Sequence, residues 1–447
     1  MISKRFSRKA LQFFLCFLDL LCALLSIWLT LFIRNAKYPT YEYWWQHVKI
    51  FTPLFLFAIC FMYLEGLYIV FKPITNHIIL LKYSILIIFG FLSGFVYFYF
   101  SLNQNYFPKV ILLIFWFVFS TLSFLVRKLI NFILLKRRLV SVIFLGKSNS
   151  YEKLIAKLNA NPMYGFKPIF LYKNQNDKDE LNKVIVSNQN NNVIYVFKHI
   201  PHIFDDINET IYELIYQSNQ CIEYSQFYEY IERKIPIEDI GDSWFIKNVN
   251  LSNKRIYFIF KRFSDILLSL VGLLLTIWFC PLIAIIIKFK SPGPVFFIQT
   301  RLGLKGKEFQ LLKFRTMFIT DNNGSATQTN DKRITKFGKF LRSTRLDEIP
   351  QLINVLKGDM SIIGPRPERP ELAEKLEKEV PWFKQRLFIR PGITGWDQVC
   401  GEYHSPSKED TFKKLQNDLY YIKNCSFWLD ISILFKTIYS MIKKEGQ

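Results

Sequence analysis

Four long apolar segments near the start of the chain set the strongest limit on how it can fold. They cover roughly residues 11–33, 49–71, 78–100 and 108–130 of a 447-residue sequence. Each has about the 20 residues that an α-helix needs to cross the hydrocarbon core of a bilayer. Because lipid cannot satisfy free backbone groups, we predict a bundle of four transmembrane helices over residues 1–135.

The distribution of Lys and Arg around these segments predicts how the bundle is oriented. Basic residues precede the first segment at Lys4, Arg5, Arg8 and Lys9, and a second basic cluster follows the fourth segment. The positive-inside rule therefore places both ends of the bundle in the cytoplasm, although Arg34 makes the bias incomplete. The first apolar run is too long for a cleaved signal peptide, so we predict that it stays as a membrane helix.

Asp19 stands within the first apolar segment. An ionisable residue inside a membrane helix commonly marks a functional site. The simpler interpretation, which we favour, is a hydrogen bond to another helix inside the bundle.

Net charge and cysteine content narrow the classes of partner. The formal net charge of +22 indicates attraction to nucleic acid, phospholipid headgroups or phosphorylated substrates. The sequence is also 51% hydrophobic, which favours the last two, and we expect no nucleic-acid partner. Its seven cysteines include no CxxC pair, which argues against a disulfide framework or a zinc site.

Residues 136–250 are more polar and are predicted to form a small Rossmann-like α/β domain. Gly146 follows the first apolar run, but no second glycine of a dinucleotide fingerprint comes after it. Without those glycines the backbone cannot approach a pyrophosphate, so we interpret the domain as a structural or regulatory module. The runs typical of parallel strands are Leu139–Leu145, Pro168–Tyr172, Val193–Phe197 and Cys221–Tyr224.

A fifth apolar segment, about 264–289, differs from the first four because a proline interrupts it. Pro281 removes a backbone donor and bends a helix. Basic residues flank both ends, so a true span would place one basic cluster outside the cell. We therefore predict a re-entrant helix that enters the membrane and returns to the same face, within a domain of residues 251–447. The last apolar stretch, Phe427–Ile442, either lies in the membrane interface or packs on that domain.

Residues 291–400 combine cations, turns and a carboxylate pair in a pattern typical of phosphate chemistry. Guanidinium groups bind phosphate oxygens in pairs, and ammonium groups act as point charges. Asp347 and Glu348 stand among these cations. Adjacent carboxylates can divide the work, one attacking and the other holding a metal. Alternatively, they are acidic residues at a helix start, stabilised by the helix dipole.

Seven motifs in one order make this region resemble a known family. They are Lys261-Arg262-x-x-Asp265, Ser291-Pro-Gly-Pro, Gln299-x-Arg301-x-Gly303, Lys313-Phe-Arg-Thr-Met, Leu346-Asp-Glu-Ile-Pro-Gln, Gly358-Asp-Met-Ser-Ile-Ile-Gly-Pro-Arg-Pro and Arg390-Pro-Gly-Ile-Thr-Gly-Trp. Residues 255–440 thereby resemble the bacterial sugar transferases, which are monotopic polyprenyl-phosphate phosphoglycosyl transferases. In architecture, the bundle and the α/β domain resemble the long members that prime exopolysaccharide, capsule or O-antigen synthesis. Asp397 departs from the family, which usually has a small residue there.

The resemblance implies a fold, a reaction and a set of site residues. The fold is an α-rich monotopic catalytic domain on the cytoplasmic face of the bacterial inner membrane. The reaction moves a sugar-1-phosphate from a UDP-sugar to undecaprenyl phosphate and releases UMP, with Asp347 as the nucleophile. Glu348 is the implied Mg²⁺ ligand. Implied phosphate- and substrate-binding residues are Arg301, Lys313, Arg315, Arg345, Pro365 and Arg366, and the re-entrant helix carries Lys261, Arg262, Asp265 and Pro281.

Two other functions fit parts of the sequence. The intact Asp347-Glu348 pair disfavours a catalytically silent scaffold for polysaccharide enzymes. A nucleic-acid-binding membrane protein would show a basic face with exposed aromatics, whereas these cations flank membrane segments or fall in the seven motifs. The identity of the sugar stays open, and so does the oligomeric state, with a homodimer among the options.

Overall fold

The computed structural model describes residues 8–64, 66–68, 76–100, 109–135, 139–145, 149–172, 183, 193–198, 220–318, 331, 333–400 and 407–442. The chain divides into two compact units, Met1–Ile222 and Glu223–Gln447. We call them the N-terminal unit and the C-terminal unit.

Four long helices open the N-terminal unit. Among the described residues, these four helices are each long and apolar enough to cross a membrane without a break, which confirms the prediction of four. Large aromatic side chains, among them Phe51, Phe115 and Trp116, are buried between them. Most of the flanking basic residues, 4, 5 and 136–138, lie outside the described part of the chain. The helices are α1 (Arg8–Asn35), α2 (Tyr41–Leu64), α3 (Asn76–Phe100) and α4 (Lys109–Leu135).

A buried ion pair joins the first and last helices of the bundle. Two nitrogens of Arg127 in α4 each lie 2.8 Å from a carboxylate oxygen of Asp19 in α1. Ser123 donates a further hydrogen bond to the same carboxylate at 2.6 Å. The predicted hydrogen bond between helices is confirmed. The partner that the sequence did not predict is the cation Arg127, which pairs with a carboxylate that would cost about 3 kcal/mol or more if left unpaired inside a bilayer.

A four-stranded sheet follows the bundle. Its elements are β1 (Val140–Leu145), α5 (Asn149–Ala160), β2 (Phe166–Tyr172), β3 (Val193–Phe197) and β4 (Gln220–Glu223). The strand order is β2-β1-β3-β4, and β1 pairs in parallel with both β2 and β3. The four predicted strands are thus present, and the pairing of the first three is parallel as predicted. Gly146, where the dinucleotide fingerprint is incomplete, lies outside the described residues.

The C-terminal unit is built of helices and two small sheets. It begins with α6 (Tyr224–Glu232), α7 (Asp242–Asn248) and a broken helix, α8 (Arg255–Thr276) and α9 (Phe279–Lys290). Strands β5 (Phe296–Leu302) and β6 (Glu308–Phe314) form an antiparallel hairpin. Then follow α10 (Lys336–Ser343), α11 (Gln351–Lys357), β7 (Ser361–Ile363), α12 (Pro370–Glu379), β8 (Gly392–Thr394), α13 (Trp396–Val399), α14 (Lys408–Asn424) and α15 (Phe427–Ile442). β7 and β8 pair in parallel.

The break between α8 and α9 bends the chain by 63°. Pro281 stands in the first turn of α9, where its ring excludes a continuous helix because it would meet the carbonyl of residue 277. The tip of the bend is apolar and open, with Ile277, Trp278 and Phe279 all exposed and Trp278 exposed by 84%. The predicted interruption is therefore present as a bend. The helix starts earlier than predicted, at Arg255.

Three polar side chains fasten α8 to other elements of the C-terminal unit. Lys261 lies 2.8 Å from Asp430 of α15. Arg262 donates to two carbonyls at the end of α11. Asp265 accepts hydrogen bonds of 3.1 and 3.0 Å from a hydroxyl and an amide of β7. The first sequence motif is therefore a set of anchors that holds α8 against three separate elements.

Helix α15 has one packed face and one open face. Ile433 is fully buried, and Thr437 bonds to Thr394 of β8 at 2.7 Å. The stretch therefore packs on the C-terminal unit, as one of the two interpretations predicted, and it also leaves an apolar face uncovered. The exposed large side chains are Phe427, Trp428 and Ile438.

Residues 223–250 belong by their packing to the C-terminal unit. Ile235, Ile237 and Trp244 are buried in one core with Leu419 and Ile422 of α14. The compact units therefore divide at residues 222 and 223, whereas the sequence predicted a boundary at 250 and 251. A few apolar positions in a polar stretch do not specify which domain they cover, which is why the sequence placed this segment with the sheet.

This packing predicts that a chain starting at residue 251 is much less stable than one starting at residue 223. The longer chain keeps Ile235, Ile237 and Trp244 in the core. Burying an apolar side chain of this size contributes about 1.5–3 kcal/mol. Thermal unfolding of both chains in the same detergent measures the difference. Equal melting temperatures would show that residues 223–250 contribute nothing to this core.

Candidate active site

A short 3-10 turn, Leu346–Glu348, carries the predicted carboxylate pair between α10 and α11. Arg345 precedes this turn in the left-handed backbone region, with φ 54°, a conformation that costs a non-glycine residue about 1–3 kcal/mol. The reversal at Arg345 separates the turn from α10. Asp347 is buried, and the Glu348 side chain is only 11% exposed. The two carboxylates are thus held in a compact turn rather than on an open helix surface.

Helix α10 reaches this turn from a fixed position. Thr335 caps its start by accepting a 2.8 Å hydrogen bond from the amide of Gly338. Gly338 lies so close to the chain after β6 that a Cβ there would be 2.0 Å from the carbonyl oxygen of Thr316. Arg342 donates to the Thr316 hydroxyl at 2.9 Å. These contacts also bring the Arg342 charge close enough to act on Asp347.

Three cations from different parts of the chain surround Glu348. The Lys313 ammonium lies 3.0 Å from Oε1, and the Arg366 guanidinium lies 3.5 Å from the same oxygen. Arg345 lies 4.0 Å from Oε2. The structure thereby brings together five of the predicted site residues, although they span more than fifty positions in the sequence.

The two adjacent carboxyl groups have widely separated pKa values. Burial raises the pKa of Asp347 to about 6, since the neighbouring Glu348 charge adds to burial and Lys313 only partly opposes them. Burial alone would also raise the pKa of Glu348, but Lys313, Arg366 and Arg345 outweigh it and lower that pKa to about 2. At neutral pH Glu348 is fully ionised, and Asp347 is the more basic carboxylate of the pair.

Glu348 has one oxygen left for a further ligand. Its Oε2 atom is buried and has no hydrogen-bond partner in the described part of the chain. Mg²⁺ is commonly held by one or two carboxylates together with waters and substrate phosphates. Within residues that the structure describes, no group of three acidic, His or Cys side chains could hold a metal alone. This unbonded oxygen fits the predicted role of Glu348, in which a Mg²⁺ ion held by the carboxylate would take its other ligands from water and substrate phosphates.

Lys313 owes its position to a residue that the sequence did not single out. Asn354 of α11 donates to the carbonyl of Gln310 at 2.7 Å and accepts from the amide of Leu312 at 3.1 Å. Both partners lie on β6, directly before Lys313. Because the buried Asn354 side chain bonds to two backbone groups of β6, it fixes the position of this strand along α11. Asn354 comes three residues after the Leu346 motif ends, and nothing in the sequence signals this contact.

Arg315 lies away from the carboxylate pair. Its guanidinium donates to the carbonyls of Ser291 and Pro292, both at 2.7 Å, and the residue is buried. This contact holds the turn that follows α9. The prediction of Arg315 as a phosphate ligand gains no support from this position, because two of its nitrogens are occupied by backbone.

Arg301 also contacts backbone rather than the carboxylate pair. It donates to the carbonyl of Pro367 at 3.0 Å and to the side chain of Gln299 at 2.6 Å. Glu368 lies 3.8 Å from the same guanidinium. Arg301 therefore contacts the backbone next to Arg366, and Arg366 is the arginine whose side chain reaches Glu348. The sequence could not separate the two arginines, since both stand in motifs that handle phosphate.

The sixth and seventh motifs meet along β7 and β8. The amide of Gly364 donates to the carbonyl of Thr394 at 2.8 Å, and the amide of Gly392 donates to the carbonyl of Pro365 at 2.9 Å. A Cβ on Gly392 would lie 2.1 Å from the backbone nitrogen of Gly364. Only glycine allows two backbones this close. Pro365 is thus part of the backbone support beneath Arg366.

The C-terminal part of the chain is similar in sequence to known proteins of one family. Residues 256–444 match the bacterial sugar transferase family. Over 195 residues the chain is 40% identical to the exopolysaccharide production protein PSS of Rhizobium leguminosarum bv. phaseoli, and this match covers 96% of that relative. The chain belongs to the bacterial sugar transferase family. All seven motifs, from Lys261 to Trp396, lie inside the matched range.

Two longer members of the family are also similar to this stretch. The chain is 44% identical over 196 residues to the UDP-N-acetylgalactosamine-undecaprenyl-phosphate N-acetylgalactosaminephosphotransferase of Aeromonas hydrophila. It is 46% identical over 182 residues to the UDP-glucose:undecaprenyl-phosphate glucose-1-phosphate transferase of Xanthomonas campestris pv. campestris. The matches cover 43% and 40% of this chain and 45% and 37% of those relatives, so the chain spans less than half of their length.

Proposed function

We propose that the protein transfers a sugar-1-phosphate from a UDP-sugar to undecaprenyl phosphate and releases UMP. The main support for this proposal is the geometry of the Asp347-Glu348 pair, which one turn holds beside the cations Lys313, Arg345 and Arg366. Asp347 also has the higher pKa of the two carboxyl groups. Membership of the family and the names of the relatives support the classes of donor and acceptor. The glucose and N-acetylgalactosamine enzymes among them leave the sugar open.

In the first half-reaction Asp347 is the nucleophile. A carboxylate oxygen attacks the phosphorus that bears the sugar, the bond from that phosphorus to the bridging oxygen breaks, and UMP leaves with that oxygen. An aspartyl phospho-sugar remains. No general base is needed, because at pH 7 a carboxyl group with a pKa of about 6 is mostly ionised.

In the second half-reaction the acceptor frees Asp347. A phosphate oxygen of undecaprenyl phosphate attacks the same phosphorus, and the bond to the Asp347 carboxylate breaks. The products are the sugar-linked polyprenyl diphosphate and the ionised carboxylate. Both steps bring one anion to another, so charge neutralisation is the main contribution that the site has to make.

The cations around Glu348 supply that neutralisation. Arg366 is the most accessible of them, with 44% of its side chain exposed against 18% for Lys313 and 19% for Arg345. Arg366 therefore contacts the incoming diphosphate first, while Lys313 holds Glu348 in place. Mg²⁺ bound at Glu348 would supply further charge stabilisation for the phosphoryl group.

The position in the cell follows from the same substrates. We propose that the bundle lies in the bacterial inner membrane with both ends in the cytoplasm, and that α8 and α9 are a re-entrant pair. This keeps Asp347 on the side that holds nucleotide sugars and at the depth of the acceptor phosphate. The step would begin exopolysaccharide, capsule or O-antigen synthesis, and the Rossmann-like sheet domain would be structural or regulatory.

Replacing either carboxylate tests the chemical roles. Asp347→Asn should lower UMP release by on the order of 10³-fold or more, because an amide cannot form the phospho-enzyme. Glu348→Gln should lower it by on the order of 10²-fold, since Lys313 and Arg366 lose their anionic partner. Glu374→Gln, an exposed acid on α12, is the matched control and should keep full activity. UMP release at the wild-type rate by a folded Asp347→Asn protein would exclude Asp347 as the nucleophile.

The pH dependence tests the ionisation of Asp347. Its pKa is raised to about 6, so kcat/KM for the UDP-sugar should fall as pH drops through about 6 and level off above it. Arg342 lowers that pKa. Arg342→Gln should therefore move the acidic limb to higher pH, whereas Arg342→Lys should leave it in place. An acidic limb that is identical in all three proteins would contradict the assignment.

The re-entrant topology is tested by cysteine labelling on a chain that lacks the seven native cysteines. Asn253→Cys and Lys307→Cys flank the broken helix at exposed positions. A membrane-impermeant maleimide should leave both unlabelled in spheroplasts and label both once the inner membrane is opened. Lys37→Cys, in the exposed α1–α2 connection, should label in intact spheroplasts and serves as the control. Labelling of Lys307→Cys without opening would show that the helix spans the membrane.

A further inference from the structure

The chain from Pro365 to Glu368, which we call the Arg366 loop, is held in place through its backbone carbonyls. It carries no regular secondary structure, yet each of its four carbonyls accepts a hydrogen bond from outside the loop. Two of the donors are backbone amides and two are guanidinium groups. The four bonds are Gly392 to Pro365 at 2.9 Å, Arg386 to Arg366 at 2.9 Å, Arg301 to Pro367 at 3.0 Å and Leu302 to Glu368 at 2.9 Å.

The two guanidinium donors lie beside acidic side chains, of which Asp418 is buried and Glu368 is largely buried. Arg386 lies 3.3 Å from Glu368 and 2.8 Å from Asp418. Arg301 lies 3.8 Å from the other oxygen of Glu368, and Lys414 also contacts this carboxylate. Burial alone would raise the pKa of Glu368, but Lys414 and Arg386 outweigh it and lower the pKa to about 2. Glu368 is therefore ionised at neutral pH, contacts Arg386 directly and attracts Arg301 over the longer distance.

This support contrasts with the freedom of the one side chain that it carries toward the site. The Arg366 side chain is 44% exposed, and its one ion pair within the described residues is the 3.5 Å contact with Glu348. A long cation of this kind normally loses rotamer freedom when it binds a phosphate. Prolines on both sides of Arg366 already limit the backbone. With every carbonyl of the loop held, the origin of the Arg366 side chain is fixed before substrate arrives.

We infer that Arg301 and Arg386 are positioning residues that act through Arg366: they clamp the carbonyls of the Arg366 loop and so preset the guanidinium that receives the diphosphate of the nucleotide donor. This rests on the proposed function for the identity of the ligand. It gives Arg301 a role different from the direct phosphate contact that its motif predicted. It also gives a role to Arg386, which lies outside all seven motifs.

Equilibrium binding of UDP to the full-length protein in detergent tests the inference without requiring turnover. Arg386→Lys keeps the positive charge beside Asp418. An ammonium group lacks the planar fork of a guanidinium, so it cannot bond to the Arg366 carbonyl, Glu368 and Asp418 at the same time. Arg301→Lys is the second variant and is less buried, with 21% of the Arg301 side chain exposed. Each should raise the Kd for UDP about tenfold, as expected for one misplaced charged contact. Lys378→Gln on the exposed face of α12 is the control and should leave Kd unchanged.

The decisive measurement is the same pair of substitutions in an Arg366→Gln background. If the clamps act through Arg366, they have no further effect on Kd there, so the effects are strongly non-additive. In turnover the single variants should raise KM for the UDP-sugar and leave kcat within about twofold. A merely structural role would produce equal losses with and without Arg366 and would overturn the inference, as would an unchanged Kd in folded single variants. Failure of the wild-type protein to bind UDP would instead count against the proposed donor.

Discussion

The contact between Lys313 and Glu348 is the interaction on which the active-site half of the molecule depends. It joins the β5–β6 hairpin to the turn before α11, and it positions the Glu348 carboxylate with which Arg366 also pairs. Burial lowers the pKa of Lys313, and Glu348 only partly offsets this, so the pair is held at a cost in solvation. A buried ion pair of this kind adds little stability compared with an apolar contact. Its value here is positional, because it sets where the remaining charges meet.

Many residues around the site have a structural role, because they hold the Lys313–Glu348 contact in position. Asn354 sets the height of β6, Gly338 lets α10 pass close to Thr316, and Gly392 lets two backbones touch. Each contact joins the turn or its cations to a different element. Lys261, Arg262 and Asp265 extend this bracing to α8. The broken helix and the carboxylate pair are therefore parts of one braced body, within which the apolar tip at Trp278 has a set distance from Asp347.

Much of this was open to prediction from the sequence, for identifiable physical reasons. The four helices of the bundle follow from segment length alone, and the strands from short apolar runs. The selection of the carboxylate pair and of Lys313, Arg345 and Arg366 follows from the seven motifs and the family resemblance that they carry, because residue type alone does not separate a ligand from a solvated surface charge. What the sequence could not separate is a guanidinium that faces a ligand from one that faces a carbonyl, and Arg301 and Arg315 both turned to backbone. The sequence also could not show that Ile235 and Trp244 pack against α14, because an apolar side chain can be buried against any apolar surface.

The buried pair of Asp19 and Arg127 has a consequence for how the protein is made. The two residues are 108 positions apart, so the first membrane helix is synthesised well before its counter-charge exists. At about 5–20 residues per second, the interval is about 5 to 20 s. During that time α1 must be retained despite a carboxylate whose cost in the bilayer is about 3 kcal/mol. Until α4 supplies Arg127, the apolar side chains of α1 therefore have to outweigh the cost of this carboxylate, and the ion pair forms only after both helices have been made.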